Sequence, residues 1–207
     1  MSNLENQEET KEIDELEYFP FIRGINIDLC PRNSKYANLY IRWKNNPKVR
    51  KYARNIIPRT IDEQKKRFET RTEGLKTDIS LDIWHKKDKK LIGQIGLGHI
   101  DWVNGWANAF LQIGEPDYWN KDIGKEATKL IVEYAFNELN LNKLHGGVAV
   151  DNIGSWSVAE KIGFEFEGIR KHEMYVDGKY VDGKTFRLLK EDWLKSRKLK
   201  NIQNKKS

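Results

Sequence analysis

The segment YWNKDIGKEATKL, residues 118–130, decides how this chain is interpreted. It follows a strand-like run, AFLQIG, and leads directly into apolar residues at helical spacing. The free N–H groups and the dipole at the start of a helix favour a bound anion. Lys121 and Lys125 add positive charge, and Gly124 lets the backbone approach a ligand closely. The segment predicts either a phosphate-binding loop or, alternatively, an ordinary helix N-terminus.

Two common nucleotide-binding motifs do not fit this loop. A Walker A motif ending at Gly124 and Lys125 requires glycine at the position of Trp119 and Ser or Thr at that of Glu126. The run GQIGLG lies in a strand pattern that no helix follows, so it is no dinucleotide-binding fingerprint. Asp122 also brings negative charge to the centre of the predicted anion site. The loop is therefore either a variant phosphate-binding loop or an ordinary helix N-terminus.

The rest of the chain predicts helices and strands in a definite order. A strand at 21–29 precedes two helices, one capped by Asn33 or Ser34 and ending at Asn46-Pro47, the other opening with the capping box TIDE at Thr60. Three antiparallel strands follow, with Asn104-Gly105 turning the second hairpin. The later predictions are a helix at 125–139, a strand at 143–150, a short helix ending at Gly163, and two strands joined at Asp177-Gly178.

Length and composition indicate one globular domain. The chain has 207 residues, 38% of them hydrophobic and 33% charged, and no apolar run long enough to cross a membrane. The acidic N-terminus does not match a secretory signal peptide. Because the single Cys30 cannot form an internal disulfide, we expect a reducing cytoplasm.

The formal charge of +6 is unevenly distributed. Residues 1–18 form an acidic segment, residues 195–207 a basic one, and both are expected to be solvated, frayed tails on a single domain at 19–194. The basic tail could instead contact RNA, but no aromatic RNA-binding motif or zinc-finger spacing accompanies it. Nucleic-acid binding is therefore not predicted.

Two later blocks complete a family pattern. They read DNIGSWSVAEKIGFEFEGI at 151–169 and YVDGKYVDGK at 175–184. With the loop and the element order, they resemble the GCN5-related N-acetyltransferase (GNAT) superfamily over residues 21–193, most closely its RimJ/RimL type of ribosomal-protein N-terminal acetyltransferase. The resemblance implies an α/β (α+β) fold with a mixed, mostly antiparallel sheet flanked by helices. The positions that match N-x-x-S and E-K-x-G-F are Asn152, Ser155, Glu160, Lys161, Gly163 and Phe164.

The resemblance also implies an enzyme that uses acetyl-CoA. In this family an amine attacks the thioester directly, a strand pairs with the pantetheine arm, the loop binds the pyrophosphate, and the Asn of N-x-x-S binds the arm. Carried over residue by residue, the implied cofactor-binding positions are Leu111, Gln112, Ile113, Trp119, Asn120, Lys121, Asp122, Ile123, Gly124, Lys125, Asn152, Ser155 and Lys161.

Proton transfer is where the chain departs from its relatives. Many carry a tyrosine acid where this chain has Ala159, and the RimJ/RimL type implies that Ser155 protonates the leaving thiolate instead. A carboxylate common early in the cofactor strand is replaced by Asn108, which cannot act as a base. The identity of the proton acceptor is left open, since either a water chain or one of four side chains fits. Asp101 and Glu115 are the leading candidates among the side chains. The four are Asp101, His99, Glu115 and Glu173.

The acceptor implied by the resemblance is a protein or peptide α-amino group. The alternatives are a small amine, such as a polyamine, amino sugar or antibiotic, and a non-catalytic CoA-binding module. The basic segment at 43–60 argues against polyamines. The four histidines lack metal-ligand spacing, so no metal is predicted. A monomer and a homodimer both remain open.

Overall fold

The computed structural model describes residues 19–53, 57–69 and 75–204, and the side chains up to residue 199. The acidic segment predicted at 1–18 lies outside these residues. One eight-stranded sheet has the order β1-β2-β3-β4-β5-β6-β8-β7, in which only β5 and β6 are parallel. The strands are β1 Ile22–Arg23, β2 Ile27–Pro31, β3 Ile79–His85, β4 Lys90–Asp101, β5 Trp106–Ile113, β6 Lys143–Ala149, β7 Glu165–Val176 and β8 Lys179–Leu189. The helices are α1 Ala37–Asn45, α2 Pro47–Arg50, α3 Ile61–Glu69, α4 Ile123–Asn137, α5 Ile153–Ile162 and α6 Lys190–Asn204.

The first predicted strand is wrong in one respect, because residues 21–29 form a two-stranded hairpin. Gly24 turns the chain between β1 and β2, and its N–H donates to the Ile27 carbonyl at 3.0 Å. A side chain at Gly24 would collide with that carbonyl. The turn is held by Glu126 of α4, whose carboxylate accepts from the N–H groups of Ile25 and Asn26.

Local capping signals place the helices where the sequence predicts them. Asn33 caps a short 3-10 turn that leads into α1, its side chain accepting from the Lys35 N–H at 3.0 Å. The Thr60 capping box is confirmed, since Thr60 and Glu63 each accept a hydrogen bond from the backbone N–H of the other. Gly163, at φ 109, ends α5.

The helices cover the two faces of the sheet. Buried residues of α4, such as Ile131 and Phe136, pack on one face within the main core. On the other face Tyr40 and Trp43 of α1 pack with Leu91 in a smaller core, to which Phe68 of α3 contributes. The sheet therefore separates an α4 face from an α1/α3 face.

The last helix corrects the prediction of a frayed basic tail from residue 195. Helix α6 extends through residue 204. Trp193 is buried against Phe136, with ring centres 5.4 Å apart, and Arg197 pairs with Glu133 at 2.6 Å. These contacts with α4 stabilise a helix that the charge pattern alone does not predict.

Candidate functional site

The sheet opens between its two parallel strands. Strands β5 and β6 pair only through Trp106, Ala107 and Asn108, and beyond Asn108 no ladder joins them. Residues 109–113 pair with β4 on one side, while β6 continues beside β8. This leaves about 13 Å of strand edge facing the opening. Such an edge can hydrogen-bond an extended ligand as a further strand would.

Glycines keep the opposite wall of this opening free. A Cβ added at Gly146 or at Gly147 would meet no atom within 4 Å. Both residues lie on β6 directly after His145, the last residue that pairs with β5. The opening is therefore lined by backbone on both sides, and an extended chain can enter it closely.

The loop predicted to bind phosphate lies at the mouth of the same opening. It connects the end of β5 to α4, whose first N–H groups have no acceptor within the helix. Asn120 and Asp122 both have left-handed backbones, at φ 60 and φ 56. Asn and Asp tolerate this conformation better than other non-glycine residues. The loop thus takes the required shape without a glycine at either position.

Two contacts fix the loop against β5. The indole N–H of Trp119 donates to the Ile113 carbonyl at 3.0 Å. A Cβ on Gly124 would lie 3.0 Å from the Leu111 side chain, so glycine lets the helix start close to the strand. The predicted loop residues and the predicted strand residues therefore lie together. The side chain of Asp122 is exposed and does not cap the helix.

The second predicted block forms the start of α5, which follows β6. Asn152 is its N-cap, and the Asn152 carbonyl accepts from the Ser155 N–H at 3.1 Å. Trp156 donates to the Val150 carbonyl at 3.1 Å, and the Lys184 ammonium lies 3.7 Å from its ring centre. Asn152 and Ser155 thus stand at the end of the strand that borders the opening. Lys161 lies in the last turn of α5, about 9 Å along the axis from Ser155.

The two leading candidates for the base are both engaged by neighbours. Asp101 accepts from the N–H groups of Val103 and Asn104 in the β4–β5 turn, and the Asn104 bonds above all hold the pKa of Asp101 low. Burial raises the pKa of Glu115, but hydrogen bonds from Trp43 and Arg42 outweigh it and lower the pKa overall. Both side chains therefore have a structural role in shaping the site.

The other two candidates lie away from the strand edge that faces the opening. His99 occupies a bulge in β4 with φ 52, and its backbone N–H donates to Asp78. Glu173 lies on β7, which β8 separates from β6, and it pairs with Arg170 at 3.5 Å. Neither position borders β5 on the side facing β6.

His145 is a site residue that the sequence analysis does not single out. It is paired with Asn108 across the last position shared by β5 and β6. Its ring packs edge-on against Trp106 at 5.4 Å, and its Nδ1 lies 3.8 Å from Glu167. Burial, and then Lys143, lower the pKa of His145, which keeps the imidazole neutral near pH 7. No motif could have identified it, because the pairing depends on strand register.

A row of polar side chains crosses the α1/α3 face of the sheet towards the opening. Asp82, Gln94 and Gln112 are consecutive cross-strand partners, and Gln94 donates to Asp82 at 3.3 Å. Tyr40 of α1 also donates to Asp82. The Gln112 side-chain nitrogen is buried without a hydrogen-bond partner among the residues described. A ligand group at the opening could supply that acceptor.

Within residues 19–53, 57–69 and 75–204, no three His, Cys, Asp or Glu side chains lie close enough to hold a metal ion. No helix in these ranges has the length and apolar character needed to span a membrane.

The family model, the related sequences and the solved structures that this chain resembles all point to N-acetyltransferases. Residues 29–165 match the model of the acetyltransferase (GNAT) domain. The probable N-acetyltransferase YjcK of Bacillus subtilis is 34% identical over 64% of this chain and 75% of its own length. The putative ribosomal N-acetyltransferase YdaF of the same organism is 37% identical over 51% of this chain and 57% of its own. A crystal structure of Vibrio cholerae spermidine N-acetyltransferase with CoA and spermine shares the fold, with a TM-score of 0.75 at 23% identity over 82% of this chain and 98% of that one.

Proposed function

This chain belongs to the GNAT acetyltransferase family, and we propose that it moves the acetyl group of acetyl-CoA to the N-terminal amine of a protein or peptide, in the manner of the RimJ/RimL type. The observation that carries the proposal is the open edge of β5, which ends directly in the loop before α4. An extended arm with a pyrophosphate at one end fits that combination of strand edge and helix N-terminus.

The residues present fit acetyl-CoA. Backbone groups of Leu111, Gln112 and Ile113 would pair with the pantetheine amides. The N–H groups from Ile123 to Lys125 would bind the pyrophosphate, with Lys121 and Lys125 offsetting the charge of Asp122. Asn152, at the far wall, would hydrogen-bond the arm. Bound acetyl-CoA supplies the reactive thioester, while residues of this chain bind and orient it.

The protein contributes position, charge stabilisation and proton transfer. A backbone N–H of β5 beside the opening would donate to the oxyanion that develops on the thioester carbonyl. Asn108 would orient the amine, and the neutral imidazole of His145 beside it would accept the ammonium proton before attack. Ser155 would donate a proton to the departing thiolate. Asp101 and Glu115 would keep the surrounding loops in place.

The segment after α2 and the β7–β8 hairpin contact each other over the α1/α3 face of the sheet, and their charges favour a peptide acceptor. Lys51 after α2 pairs with Asp177 at the tip of the β7–β8 hairpin, 2.7 Å apart. Tyr52 packs against a small apolar cluster that β6, β7 and β8 form. This bridge lies over the sheet face that carries His145. Its exposed rim is basic, with Lys48 and Arg50 beside Lys51. A polyamine needs acidic partners, whereas a peptide with acidic residues suits this rim.

Transfer to a panel of acceptors tests the proposal. We expect acetyl-CoA turnover with peptides that carry a free N-terminus, and mass spectrometry should locate the acetyl group on the α-amine. Peptides blocked at the N-terminus and spermidine serve as controls. Faster turnover of spermidine than of any peptide would support a small-amine acetyltransferase. Tight CoA binding without acetylation of any acceptor would instead support a non-catalytic module.

A further inference from the structure

We propose that the gap between α1 and α3 is a second binding site, which takes an oxyanion such as phosphate or a carboxylate. Its residues are Arg32, Lys44, Gln64 and Arg67. It is separate from the opening beside β5 and does not depend on acetyl transfer. Three features of the described residues support it. They are a convergence of positive charge, an arginine with two buried nitrogens that lack a hydrogen-bond partner among these residues, and a buried amide that lacks one as well.

Positive charges converge at this gap. Burial above all, and then the charges of Arg59, Arg67 and Arg32 in that order, lower the pKa of Lys44 to about 8. Burial, then Arg59 and Arg32, likewise lower the pKa of Arg67. Arg59 is fixed at the end of α1, since its carbonyl accepts from the Asn45 side chain at 3.1 Å. These cations repel one another, and a bound anion would turn that repulsion into attraction.

Arg32 presents donors that no described residue accepts. Its guanidinium stacks over Tyr40 at 4.3 Å and Phe68 at 5.1 Å, which fixes its plane between α1 and α3. Its Nε lies 3.9 Å from Asp82, beyond hydrogen-bond distance, and both Nε and Nη2 are buried without a hydrogen-bond partner. A planar guanidinium with two free N–H groups matches the two oxygens of a carboxylate or phosphate.

Gln64 is the residue that most clearly indicates a ligand. Its side chain is 0% exposed, yet neither its amide oxygen nor its amide nitrogen has a hydrogen-bond partner within the described part of the chain. Gln64 lies one turn before Phe68 and three residues before Arg67, so all three share one side of α3. That side faces Tyr40 of α1, whose ring stacks with Phe68. Gln64 therefore lies on the same side of α3 as Phe68, over whose ring the Arg32 guanidinium stacks.

The nearby acids are already engaged. Asp82 accepts from Tyr40 and from Gln94. Asp78, whose charge reaches Arg67, accepts from the His99 N–H and from the Thr77 hydroxyl. Arg67 is desolvated over part of its side chain but still reaches the surface, which gives an oxyanion a route from solvent. The fold thus places donors and positive charge here that no acceptor among residues 19–53, 57–69 and 75–204 satisfies.

Thermal unfolding of the full chain at low ionic strength, with inorganic phosphate as the probe, tests the site directly. We expect phosphate to raise the melting temperature of the wild type. Gln64→Glu places a carboxylate inside the gap, so it should raise the melting temperature without phosphate and abolish the response to it. Lys44→Met should weaken phosphate binding on the order of ten-fold. Lys129→Met, a change at an exposed lysine of α4, is the control and should respond as the wild type does.

Two further measurements separate the sources of the anion. Phosphate binding near pH 8 should be accompanied by proton uptake, because the bound charge restores the ammonium form of Lys44. If phosphate competes with an acidic peptide acceptor but not with a neutral one, the site binds an acidic side chain of the acceptor. If it competes with neither, the site binds a free anion. An equal phosphate response in the wild type and in Gln64→Glu, or none in the wild type, would overturn the proposal whatever the outcome for acetylation.

Discussion

His145 lies opposite Asn108 at the last position where β5 and β6 pair before they separate. Cross-strand partners project to the same side of a sheet, so both side chains stand at the closed end of the opening, on its α1/α3 face. One of them can orient an amine and the other can accept a proton. Under the proposed function, this pair would take the place of the carboxylate that the family resemblance leads us to expect at the position of Asn108.

The first prediction concerns the pH dependence of the reaction. Burial and Lys143 lower the pKa of His145, with Glu167 opposing and Arg170 adding to them. The base form therefore increases with pH, and kcat/KM should rise through an apparent pKa below 6.5. His145→Gln should reduce kcat about 10²- to 10⁴-fold and remove that rise. Steady-state rates across pH with a peptide acceptor measure both effects.

His172 provides the matched control. It is exposed on β7, away from the opening, and His172→Gln should leave the rate and its pH profile unchanged. A His145→Gln enzyme with the pH profile of the wild type would show that another group or a water chain takes the proton.

The second prediction concerns Asp122 in the loop. With φ 56 and ψ 3 it has a left-handed backbone, which glycine adopts freely and most other residues adopt at a cost of about 1 kcal/mol. Asp122→Gly relaxes this backbone and removes a negative charge near the proposed pyrophosphate site. We expect it to bind CoA more tightly, as measured by titration calorimetry.

Asp122→Asn separates the two causes, since asparagine also tolerates the left-handed backbone but carries no charge. If the negative charge is what weakens CoA binding, Asp122→Asn should reproduce most of the gain in affinity. If the left-handed backbone is the cause, only Asp122→Gly should bind CoA more tightly. Unchanged or weaker CoA binding in both variants would contradict the account.

The order of elements could be predicted because each has a signal in neighbouring residues. The capping box at Thr60, the left-handed Gly163 and the Asp177-Gly178 turn all act within a few positions along the chain. The hairpin at Gly24 has no such local signal, because its cause is distant. Glu126, on another element, holds the turn, and no local pattern indicates that contact.

The candidate site likewise contains some residues that local sequence predicts and others that only the fold brings together. The loop at 119–125 is contiguous, so its residue types predict an anion site directly. His145 meets Asn108, and Gln94 meets Gln112, only through strand register, which the sequence does not encode in a readable form. The partners of Glu115 come from α1, so its engagement could not be foreseen either.

The third prediction concerns the acid stability supplied by Glu126. Burial raises the pKa of this carboxyl, but hydrogen bonds from Asn26 and Ile25 outweigh it and lower the pKa below 4.5. A depressed pKa contributes stability that is present at neutral pH and is lost as pH falls through the lowered value. Glu126→Gln should lose about 2 kcal/mol of unfolding free energy at neutral pH.

Urea unfolding measures this effect across the acid range. The wild type and Glu126→Gln should converge in stability as the pH approaches the folded pKa of Glu126. Glu138→Gln, at the exposed C-cap of the same helix, leaves Glu126 in place and should retain the wild-type dependence of stability on pH. A constant difference at every pH would mean that the carboxylate charge does not stabilise the turn.

The fourth prediction concerns Asp82, whose pKa shift changes stability with pH in the opposite direction to that of Glu126. Burial raises its pKa to about 6, although Tyr40, Arg32 and Gln94 all act to lower it. The folded protein therefore holds this proton more tightly than the unfolded chain, and the ionised form costs up to about 3 kcal/mol above the folded pKa. Stability should rise as pH falls from about 7 to about 4, through the folded pKa and towards the unfolded one. Asp82→Asn keeps the side-chain shape but cannot titrate, so the rise in stability should disappear in this variant. The control is Asp62→Asn on the exposed side of α3, which should show the same rise as the wild type. If the difference between the wild type and Asp82→Asn does not change over this range, the buried carboxyl is not the group that responds to pH.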